Sequence, residues 1–547
     1  MLKTSKVKNH FAAFFFLISL TFCALQPSLD NGFVNWDDPA YIQGNPQITN
    51  LEARNIKNIF TSYVNSNYQP LSVLSLAIEY HFVQLNPWLY HFDNVFLHII
   101  NTLLVYLFCF ALTKNHLSAF LTGLLFGIHP TRVESAAWVT ERKDVLFALF
   151  YLLGLLSYLR ARTIIKRSFG PYLLTFILFI LSLLAKPTAI TFPLVLMFID
   201  YYEEKKFKIK NTLRLIPFFL ISFLFGIVTI FGTFIPDADI YPVFDAFLLR
   251  INGQHTVYPS PFNLIDHILL VSYAVSNYIG KIFWTVGLSP YYPYPPKVDG
   301  LFPLTIYLYP LFLLIISKVS YTLRRSHSLL FFSLCFFLSG ILLNLPFRYV
   351  GHISIMGDRF TYIAYIGPFL IIADLLSKSL QRLNNFKKKI LLTSLICLIT
   401  ISFIYQSRNL SRIWKNSGIL WSYVALLNPN DPLPYFNRGN YYFDQGDFKK
   451  AVIDYTIAMK KGGYLYKASI NRAISLYQFG HHTKAIEDLS RAIKIRPKSI
   501  QALLTRALNY IHIEKYDNAL ADCRAILDIE PQNGEALRYI QFIEGKL

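Results

Sequence analysis

Long apolar runs alternate with short polar and basic segments along residues 1–427, and this pattern stops near residue 428. The runs are about 15–22 residues long, close to the length that an α-helix needs to cross the core of a bilayer. The pattern predicts a membrane domain over 1–427, with an external loop at 27–90, and a separate domain over 428–547. The predicted spans number about eleven and lie near 11–26, 92–113, 116–128, 144–160, 171–186, 188–202, 213–235, 301–317, 328–345, 360–376 and 390–407.

The stretch 264–286 is ambiguous, because it is apolar but interrupted by polar residues. A full crossing there would place the basic loop from Lys318 to Arg325 outside, against the positive-inside rule. A re-entrant or surface helix keeps every basic cluster on the cytoplasmic side, and we favour it. The odd number of crossings then puts 428–547 on the non-cytoplasmic side, together with the loop 27–90. That side is the periplasm in a bacterium or the lumen of the endoplasmic reticulum in a eukaryote, and the sequence leaves the choice open.

Composition agrees with a membrane protein. The 547 residues are 54% hydrophobic and only 15% charged, whereas soluble domains carry about 25% charged residues. The formal charge of +20 does not indicate nucleic-acid binding, because the basic residues form short clusters between apolar runs and act as topology signals. These clusters are Lys3/Lys6/Lys8, Arg160/Arg162/Lys166/Arg167, Lys205/Lys206/Lys208/Lys210, Arg324/Arg325 and Lys387/Lys388/Lys389.

The C-terminal domain contains a repeat with a period of 34 residues. Ala451, Ala485 and Ala519 share this spacing, and two further sets of positions follow it. Small residues at fixed helix positions with this period are typical of tetratricopeptide (TPR) repeats, whose helix pairs stack into a solenoid. We predict three repeats, at about 432–465, 466–499 and 500–533, followed by a capping helix. Such arrays bind extended polypeptides in a concave groove, so a protein partner is expected, with a passive spacer or oligomerisation module as the alternative.

Two adjacent carboxylates, Asp37 and Asp38, follow the first apolar run on the predicted external side. The cations Arg142, Lys186 and Arg359 lie near span ends on that side. Ionisable groups at such depths are costly and tend to mark functional sites. Arginine and lysine bind phosphate, which indicates a lipid-phosphate donor.

A carboxylate beside a phosphate clamp suits the transfer of a sugar from a lipid phosphate. The carboxylate would accept a proton from the acceptor hydroxyl, and the cations would stabilise charge on the departing phosphate. Neighbouring extended residues point apart, so one aspartate faces the sugar. The choice between them stays open, with a slight preference for Asp38. The candidate substrate-binding residues are Arg142, Lys186, Arg359, Glu134, Asp358, His129, Tyr68 and His91. No metal-ligand cluster is evident, and a requirement for a divalent metal is left open.

These motifs, in their order along the chain, resemble the transmembrane-and-TPR O-mannosyltransferase-like (TMTC) family of the GT-C glycosyltransferase superfamily. The resemblance extends over nearly the whole chain, although the repeat array is short and Pro187 stands where relatives often have Glu. The matching residues are Phe33 to Asp38 with Asn45, Tyr68 and Pro70; His91 to Asn94 with His98; His129-Pro130 with Glu134, Arg142 and Asp144; Ala185 to Pro187; and Asp358-Arg359 with Tyr362.

The resemblance implies an all-α, GT-C-like membrane bundle followed by a TPR solenoid. It also implies an enzyme that moves a sugar, typically mannose, from a polyprenyl- or dolichyl-phosphate donor to a Ser or Thr hydroxyl, with an acidic residue of the first external loop as the catalytic group. Two alternatives remain. A non-catalytic membrane scaffold would use the repeats to recruit a partner, and a transporter would place ionisable residues at mid-span depth.

Overall fold

The computed structural model describes residues 2–163, 169–232, 240–243, 261–347 and 354–546. Lys166, Arg167 and the end of the predicted span 213–235 lie outside these ranges. Helices dominate the described residues, and their named strands form one antiparallel ribbon, Ser62–Val64 with Ile240–Pro242. The predicted all-α class is confirmed. The chain forms two compact units, Met1–Lys415 and Asn416–Leu547.

The first unit is a bundle of apolar helices. Those long and apolar enough to cross a membrane are, among the described residues, His10–Asp30, Pro87–Thr113, Val139–Arg162, Leu304–Leu323 and Phe386–Ile413. Each predicted span overlaps a helix, while the number of crossings stays a prediction. The α-helices of this unit are Leu2–Leu25, Ala53–Thr61, Pro70–Val83, Pro87–Thr113, His116–Ile128, Val133–Ala137, Arg142–Thr163, Phe169–Ala185, Phe192–Glu204, Ile209–Arg214, Ile216–Gly232, Leu264–Lys281, Tyr309–Leu323, Ser328–Ile341, Ile366–Arg382 and Phe386–Ile413.

Close packing joins the first helix to the bundle on one face. Leu2–Leu25 packs against Pro87–Thr113, His116–Ile128 and Phe386–Ile413. Gly127 makes one of these contacts close, because a Cβ there would lie 2.2 Å from the hydroxyl of Thr21. Small residues at such crossings let membrane helices approach closely, which is how bilayer-embedded bundles gain packing energy.

The helix Leu264–Lys281 has a polar contact near each end. His267 Nδ1 lies 3.0 Å from the carbonyl oxygen of Pro346, and Lys281 Nζ lies 2.8 Å from Asp358. This helix is outside the set of long apolar helices named above. Whether this helix crosses the membrane, or lies re-entrant or on the surface as we favour from loop charge, stays a prediction.

The loop 27–90, predicted to be external, is a folded element rather than an open loop. Two of its segments are helices, Ala53–Thr61 and Pro70–Val83. They enclose an apolar core that includes Tyr41, Ile48 and Leu76. Burial of such side chains contributes about 1.5–3 kcal/mol each, so the loop holds a fixed shape and can position polar groups.

The second unit begins earlier than the predicted boundary at 427/428. Ser417–Leu427, predicted as part of the membrane domain, packs against Leu433–Asp444 as the first helix of the repeat unit. The predicted repeats each hold a helix pair, and a final helix caps the array. The helices of this unit are Ser417–Leu427, Leu433–Asp444, Phe448–Lys460, Leu465–Tyr477, His482–Ile495, Ile500–His512, Tyr516–Ile529 and Gly534–Glu544.

A ladder of ion pairs follows the same period as the small residues. In the middle repeat, the guanidinium of Arg472 donates to both oxygens of Asp488, at 2.7 and 2.5 Å, and to the hydroxyl of Thr456 at 2.8 Å. The neighbouring repeats have the same arrangement, which joins each helix pair to the preceding helix. The equivalent sets are Arg438, Asp454 and Ser422, and Arg506, Asp522 and Ser490.

Candidate active site

The two adjacent aspartates have different surroundings. Asp38 is 1% exposed, and its carboxylate accepts hydrogen bonds from the backbone N–H of Val34 and the indole N–H of Trp138, both at 2.8 Å. The hydroxyl of Thr140 is a third donor. Burial raises the pKa of Asp38 to about 6, and the three hydrogen bonds oppose this shift. Asp38 is therefore fully engaged within the protein.

Asp37 points to a more open, cationic environment. Its side chain is 23% exposed, and its Oδ2 lies 3.6 Å from Nζ of Lys143. Asn65 donates to its other oxygen at 3.3 Å. The backbone carbonyl of Asp37 accepts hydrogen bonds from the N–H groups of Ala40 and Tyr41, so both aspartates lie at the start of a tight turn. Of the two, Asp37 has the side chain that an incoming molecule can reach.

Lys143 links Asp37 to an ionic network centred on Glu141. Glu141 is fully buried, and three cations lie around its carboxylate: Lys143 at 3.3 Å, Arg359 at 3.2 Å and Lys186 at 3.6 Å. Lys186 is also paired with Asp144. A buried carboxylate is tolerated only with such compensation, so Glu141 holds the three cations in one cluster.

Arg359 connects this cluster to Glu134. Its Nη1 lies 2.5 Å from Oε1 of Glu134, and its backbone N–H donates to Oε2 at 2.8 Å. Burial raises the pKa of Glu134 to about 7, while the charge of Arg359 acts in the opposite direction. The neighbouring carboxylates hold the pKa of Arg359 above its usual range. The ionic network thus comprises Asp37, Lys143, Glu141, Lys186, Asp144, Arg359 and Glu134.

Asp358 is adjacent in sequence to Arg359 but has other partners. Lys281 Nζ lies 2.8 Å from its Oδ1, and the hydroxyl of Tyr292 donates to Oδ2 at 2.9 Å. The Lys281 ammonium also sits 3.3 Å from the centre of the Tyr292 ring. Burial raises the pKa of Tyr292 well above its usual value, so its hydroxyl stays a donor. Asp358 therefore anchors the 264–281 helix beside the network.

Arg142 does not join the predicted group of cations. It is 2% exposed and pairs with Glu79, while Asn94 Oδ1 and the Tyr90 carbonyl accept from it at 2.5 and 2.9 Å. These partners belong to the helices Pro70–Val83 and Pro87–Thr113. Arg142 thus ties the loop 27–90 to the bundle, and its neighbour Lys143 lies beside Asp37.

Three other candidates lie outside the ionic network and make hydrogen bonds with backbone carbonyls or a neighbouring hydroxyl. His129 is buried, with ring nitrogens 2.8 Å from the Thr131 hydroxyl and 3.2 Å from the Ile282 carbonyl. His91 Nε2 lies 3.4 Å from the carbonyl oxygen of Gly32. Gly32 begins the segment 32–39 that carries Asp37 and Asp38, named here the acidic stretch. Tyr68 donates to the Phe60 carbonyl at 2.9 Å within the external loop.

Sequence reasoning missed Lys143, Glu141 and Trp138 as individual site residues. The segment Glu141-Arg142-Lys143-Asp144 is four consecutive charges at the start of an apolar helix, which marks the position without showing which side chain faces Asp37. Trp138 gave no sequence signal as a partner of Asp38, because the two are 100 positions apart. Among the residues that the structure describes, no group of three or more His, Cys, Asp or Glu side chains is arranged to hold a metal ion.

Comparisons with known proteins agree on one group of relatives. The chain is 35% identical over 181 residues to the protein O-mannosyl-transferase Tmtc1 of Drosophila melanogaster, covering 32% of the chain and 21% of the relative. It is 24% identical over 453 residues to human protein O-mannosyl-transferase TMTC1, covering 72% of the chain and 48% of the relative. The chain thus spans half or less of the length of these relatives. No protein-family model matches it.

Two solved structures align with parts of the chain. The archaeal oligosaccharyltransferase AglB from Archaeoglobus fulgidus, in complex with an inhibitory peptide and a dolichol-phosphate, aligns at 12% identity and a TM-score of 0.39, over 74% of this chain and 55% of that one. The Arabidopsis OM64 TPR domain aligns at 28% identity and a TM-score of 0.21, over 21% and 96%. The sequence relatives confirm the predicted resemblance: this chain is similar to the transmembrane-and-TPR protein O-mannosyl-transferases.

Proposed function

We propose that this protein is a membrane glycosyltransferase that moves a sugar, expected to be mannose, from a polyprenyl- or dolichyl-phosphate donor to a hydroxyl of an acceptor protein. The observation that carries the proposal is the pairing of a reachable carboxylate, Asp37, with a cluster of buried cations at the end of the bundle. The named relatives are O-mannosyl-transferases, which supports this reaction class.

Asp37 acts as the general base in this proposal. Its carboxylate takes the proton of a Ser or Thr hydroxyl, the hydroxyl oxygen bonds to C1 of the sugar, and the bond from C1 to the phosphate oxygen breaks. Asp38, slightly favoured from the sequence, is less suited to this role, because it is 1% exposed and already accepts hydrogen bonds from Val34, Trp138 and Thr140. Asp38 instead fixes the backbone from which Asp37 projects.

The donor phosphate binds Arg359 and Lys186 in this proposal. Their side chains are 16% and 10% exposed, whereas that of Arg142 is 2% exposed and committed to Glu79. Arginine offers a planar fork that matches two phosphate oxygens, and lysine adds a point charge. Fixed cations of this kind stabilise the charge that develops on the departing lipid phosphate.

The repeat unit engages the acceptor or a partner protein. For this it must lie on the non-cytoplasmic side, where the loop 27–90 is predicted to lie. The last residue of the membrane unit supports this topology, since the carbonyl of Lys415 accepts a hydrogen bond from Gly32 at 2.9 Å. The chain therefore leaves the membrane unit at the end that carries Asp37.

The test is sugar transfer by the purified protein in liposomes, with dolichyl- or undecaprenyl-phosphate [³H]mannose and a Ser/Thr-rich peptide. Asp37→Asn should lower kcat at least about 100-fold, the usual contribution of a general base, with a small change in the donor KM. Asp374→Asn is the matched control. It removes an acid that pairs with Lys378 within the helix Ile366–Arg382, outside the ionic network, and it should retain activity.

Equal transfer by the wild type and Asp37→Asn would remove the catalytic role of Asp37. A wild type that transfers no sugar from either lipid, yet still recruits a protein through its repeats, would favour the alternative of a membrane scaffold.

A further inference from the structure

The last residues of the membrane unit contact the groups that hold Asp38. The Trp138 indole, which donates to Oδ1 of Asp38, lies against Trp414 with ring centres 5.1 Å apart and planes 20° from parallel. Trp138 also contacts Trp36, with ring centres 5.3 Å apart and planes tilted by 35°. The three rings form one aromatic cluster between the acidic stretch and the end of the helix Phe386–Ile413.

The second oxygen of Asp38 depends on the same region. The donor to this oxygen is the backbone N–H of Val34. Two residues before Val34, the N–H of Gly32 donates to the carbonyl of Lys415 at 2.9 Å. One residue earlier, the side-chain amide of Asn31 donates to the carbonyl of Ser411, also at 2.9 Å. Residues 411–415, named here the exit segment, therefore contact two of the three groups that hold Asp38, by way of Trp138 and the backbone before Val34.

Trp414 is itself part of a packed interior. It is 3% exposed, and Trp138 is 1% exposed. Aromatic rings stacked in this way favour a single relative orientation, so the Trp414 ring restricts the direction of the Trp138 N–H. Its closest described link to the acids runs through Trp138, because the hydrogen bond to Asp38 comes from that residue.

We infer that Trp414 is a positioning residue for the reaction, which orients the acidic stretch by holding Trp138 against Asp38. This inference rests on the proposed function. Loss of the Trp414 ring leaves a cavity beside Trp138, so that the indole rotates and water reaches the Asp38 carboxylate. Asp37 then loses its alignment. Arg359 also contacts the Trp138 ring, at 5.4 Å from its centre, but it keeps its ion pairs with Glu134 and Glu141, so donor binding changes less than kcat.

The experiment compares Trp414→Ala and Trp414→Phe in full-length protein in liposomes, with Tyr405→Ala as the matched control. Tyr405 lies on the same helix but is 67% exposed. Trp414→Ala should lower kcat at least about tenfold, as expected for a misplaced reacting group, with the donor KM within about threefold of wild type. Trp414→Phe should restore most of kcat, and Tyr405→Ala should match the wild type.

A second readout does not depend on activity. Dicyclohexylcarbodiimide modifies protonated carboxyl groups in apolar surroundings, and peptide mass spectrometry reports its reaction at Asp38 as a function of pH. Since burial is the main cause of the raised pKa of Asp38, water admitted by Trp414→Ala should shift the labelling midpoint to lower pH. Should the alanine variant be absent from membranes, Trp414→Leu takes its place with the same expected results.

The outcomes separate this inference from the proposed function. A Trp414→Ala protein with wild-type kcat and a wild-type labelling profile overturns the positioning role, as does a loss of kcat that Trp414→Phe does not relieve. If Asp37→Asn transfers sugar as well as the wild type, the proposed catalytic role fails, and the labelling experiment still decides whether Trp414 shields Asp38.

Discussion

The indole Nε1 of Trp138 donates a 2.8 Å hydrogen bond to Oδ1 of Asp38 across 100 positions of sequence. This contact assigns different roles to two neighbouring acids. Asp38 is buried and occupied by protein donors, whereas Asp37 remains partly exposed, 3.6 Å from Lys143. A base must come within hydrogen-bond reach of the proton that it removes, and Asp37 meets this condition with less rearrangement.

The fork of Arg359 should matter more than its charge. In Arg359→Lys the cation remains beside Glu134 and Glu141, but two-point contact with the donor phosphate is lost. We expect the donor KM to rise about tenfold, equivalent to about 1.4 kcal/mol, with a smaller effect on kcat. Donor titration in liposomes measures this. Arg412→Lys, an exposed arginine near the end of the last membrane helix, should leave the KM unchanged, and an equal rise in both variants would refute a specific clamp.

Glu134 should make donor binding depend on pH. Glu134 and the donor phosphate compete for Arg359, and burial raises the pKa of Glu134 to about 7. Protonation releases Arg359, so the affinity for the donor should increase as the pH falls from about 8 through 7 and level off below about 6. The donor is a phosphodiester, which keeps one negative charge over this range, so the protein carries the dependence.

Glu134→Gln should bind the donor tightly throughout this range and lose the pH dependence. Equilibrium binding of a non-transferable donor analogue at pH 6, 7 and 8 measures both proteins. A wild-type affinity that is constant with pH, or a Glu134→Gln variant that keeps the wild-type slope, contradicts the competition.

The membrane topology has a direct test. The helix Phe386–Ile413 has 28 residues, about 42 Å at 1.5 Å per residue, and it runs from the basic cluster at Lys387–Lys389 to the hydrogen bond between Lys415 and Gly32. In a cysteine-free background, Lys484→Cys in the repeat unit should react with an impermeant maleimide in intact cells or sealed lumen-out vesicles. Lys388→Cys should react only after permeabilisation, and the reverse pattern would place the repeats in the cytoplasm.

Much of the architecture was accessible from the sequence because it depends on local patterns. Hydropathy located the membrane helices, and the 34-residue period located the repeats. The boundary at 427/428 came too late because Ser417–Leu427 is itself apolar. The repeat period extends into this helix, since Ser422 lies one period before Thr456 and has the same role in the ladder.

The site was only partly predictable, because its pairings depend on helix phase and distant partners. The structure brings Asp37, Lys186 and Arg359 into one ionic network through Lys143 and Glu141, and their roles as base and phosphate ligands stay predictions. Arg142 was assigned to that group, yet it is held by Glu79, which is 63 positions away. At a helix start, one residue changes the direction of a side chain by about 100°, so Lys143 and Arg142 face different partners although they are adjacent.

The ladder of the repeat unit should carry a measurable part of its stability. Asp488 is 2% exposed and accepts two hydrogen bonds from Arg472, whose third donor reaches Thr456. Asp488→Asn leaves the guanidinium without its charged partner, and we expect a loss of about 2–3 kcal/mol in the free energy of unfolding. Urea denaturation of the Asn416–Leu547 unit, followed by circular dichroism, measures it.

Arg491→Ala is the matched control, because Arg491 also pairs with Asp488, at 3.1 Å, but its side chain is 48% exposed. A solvent-screened pair of this kind contributes less than about 1 kcal/mol, so the control should unfold within about 0.5 kcal/mol of the wild type. If the two variants lose equal stability, the ladder is a surface feature, and the cohesion between repeats comes from the small-residue contacts alone.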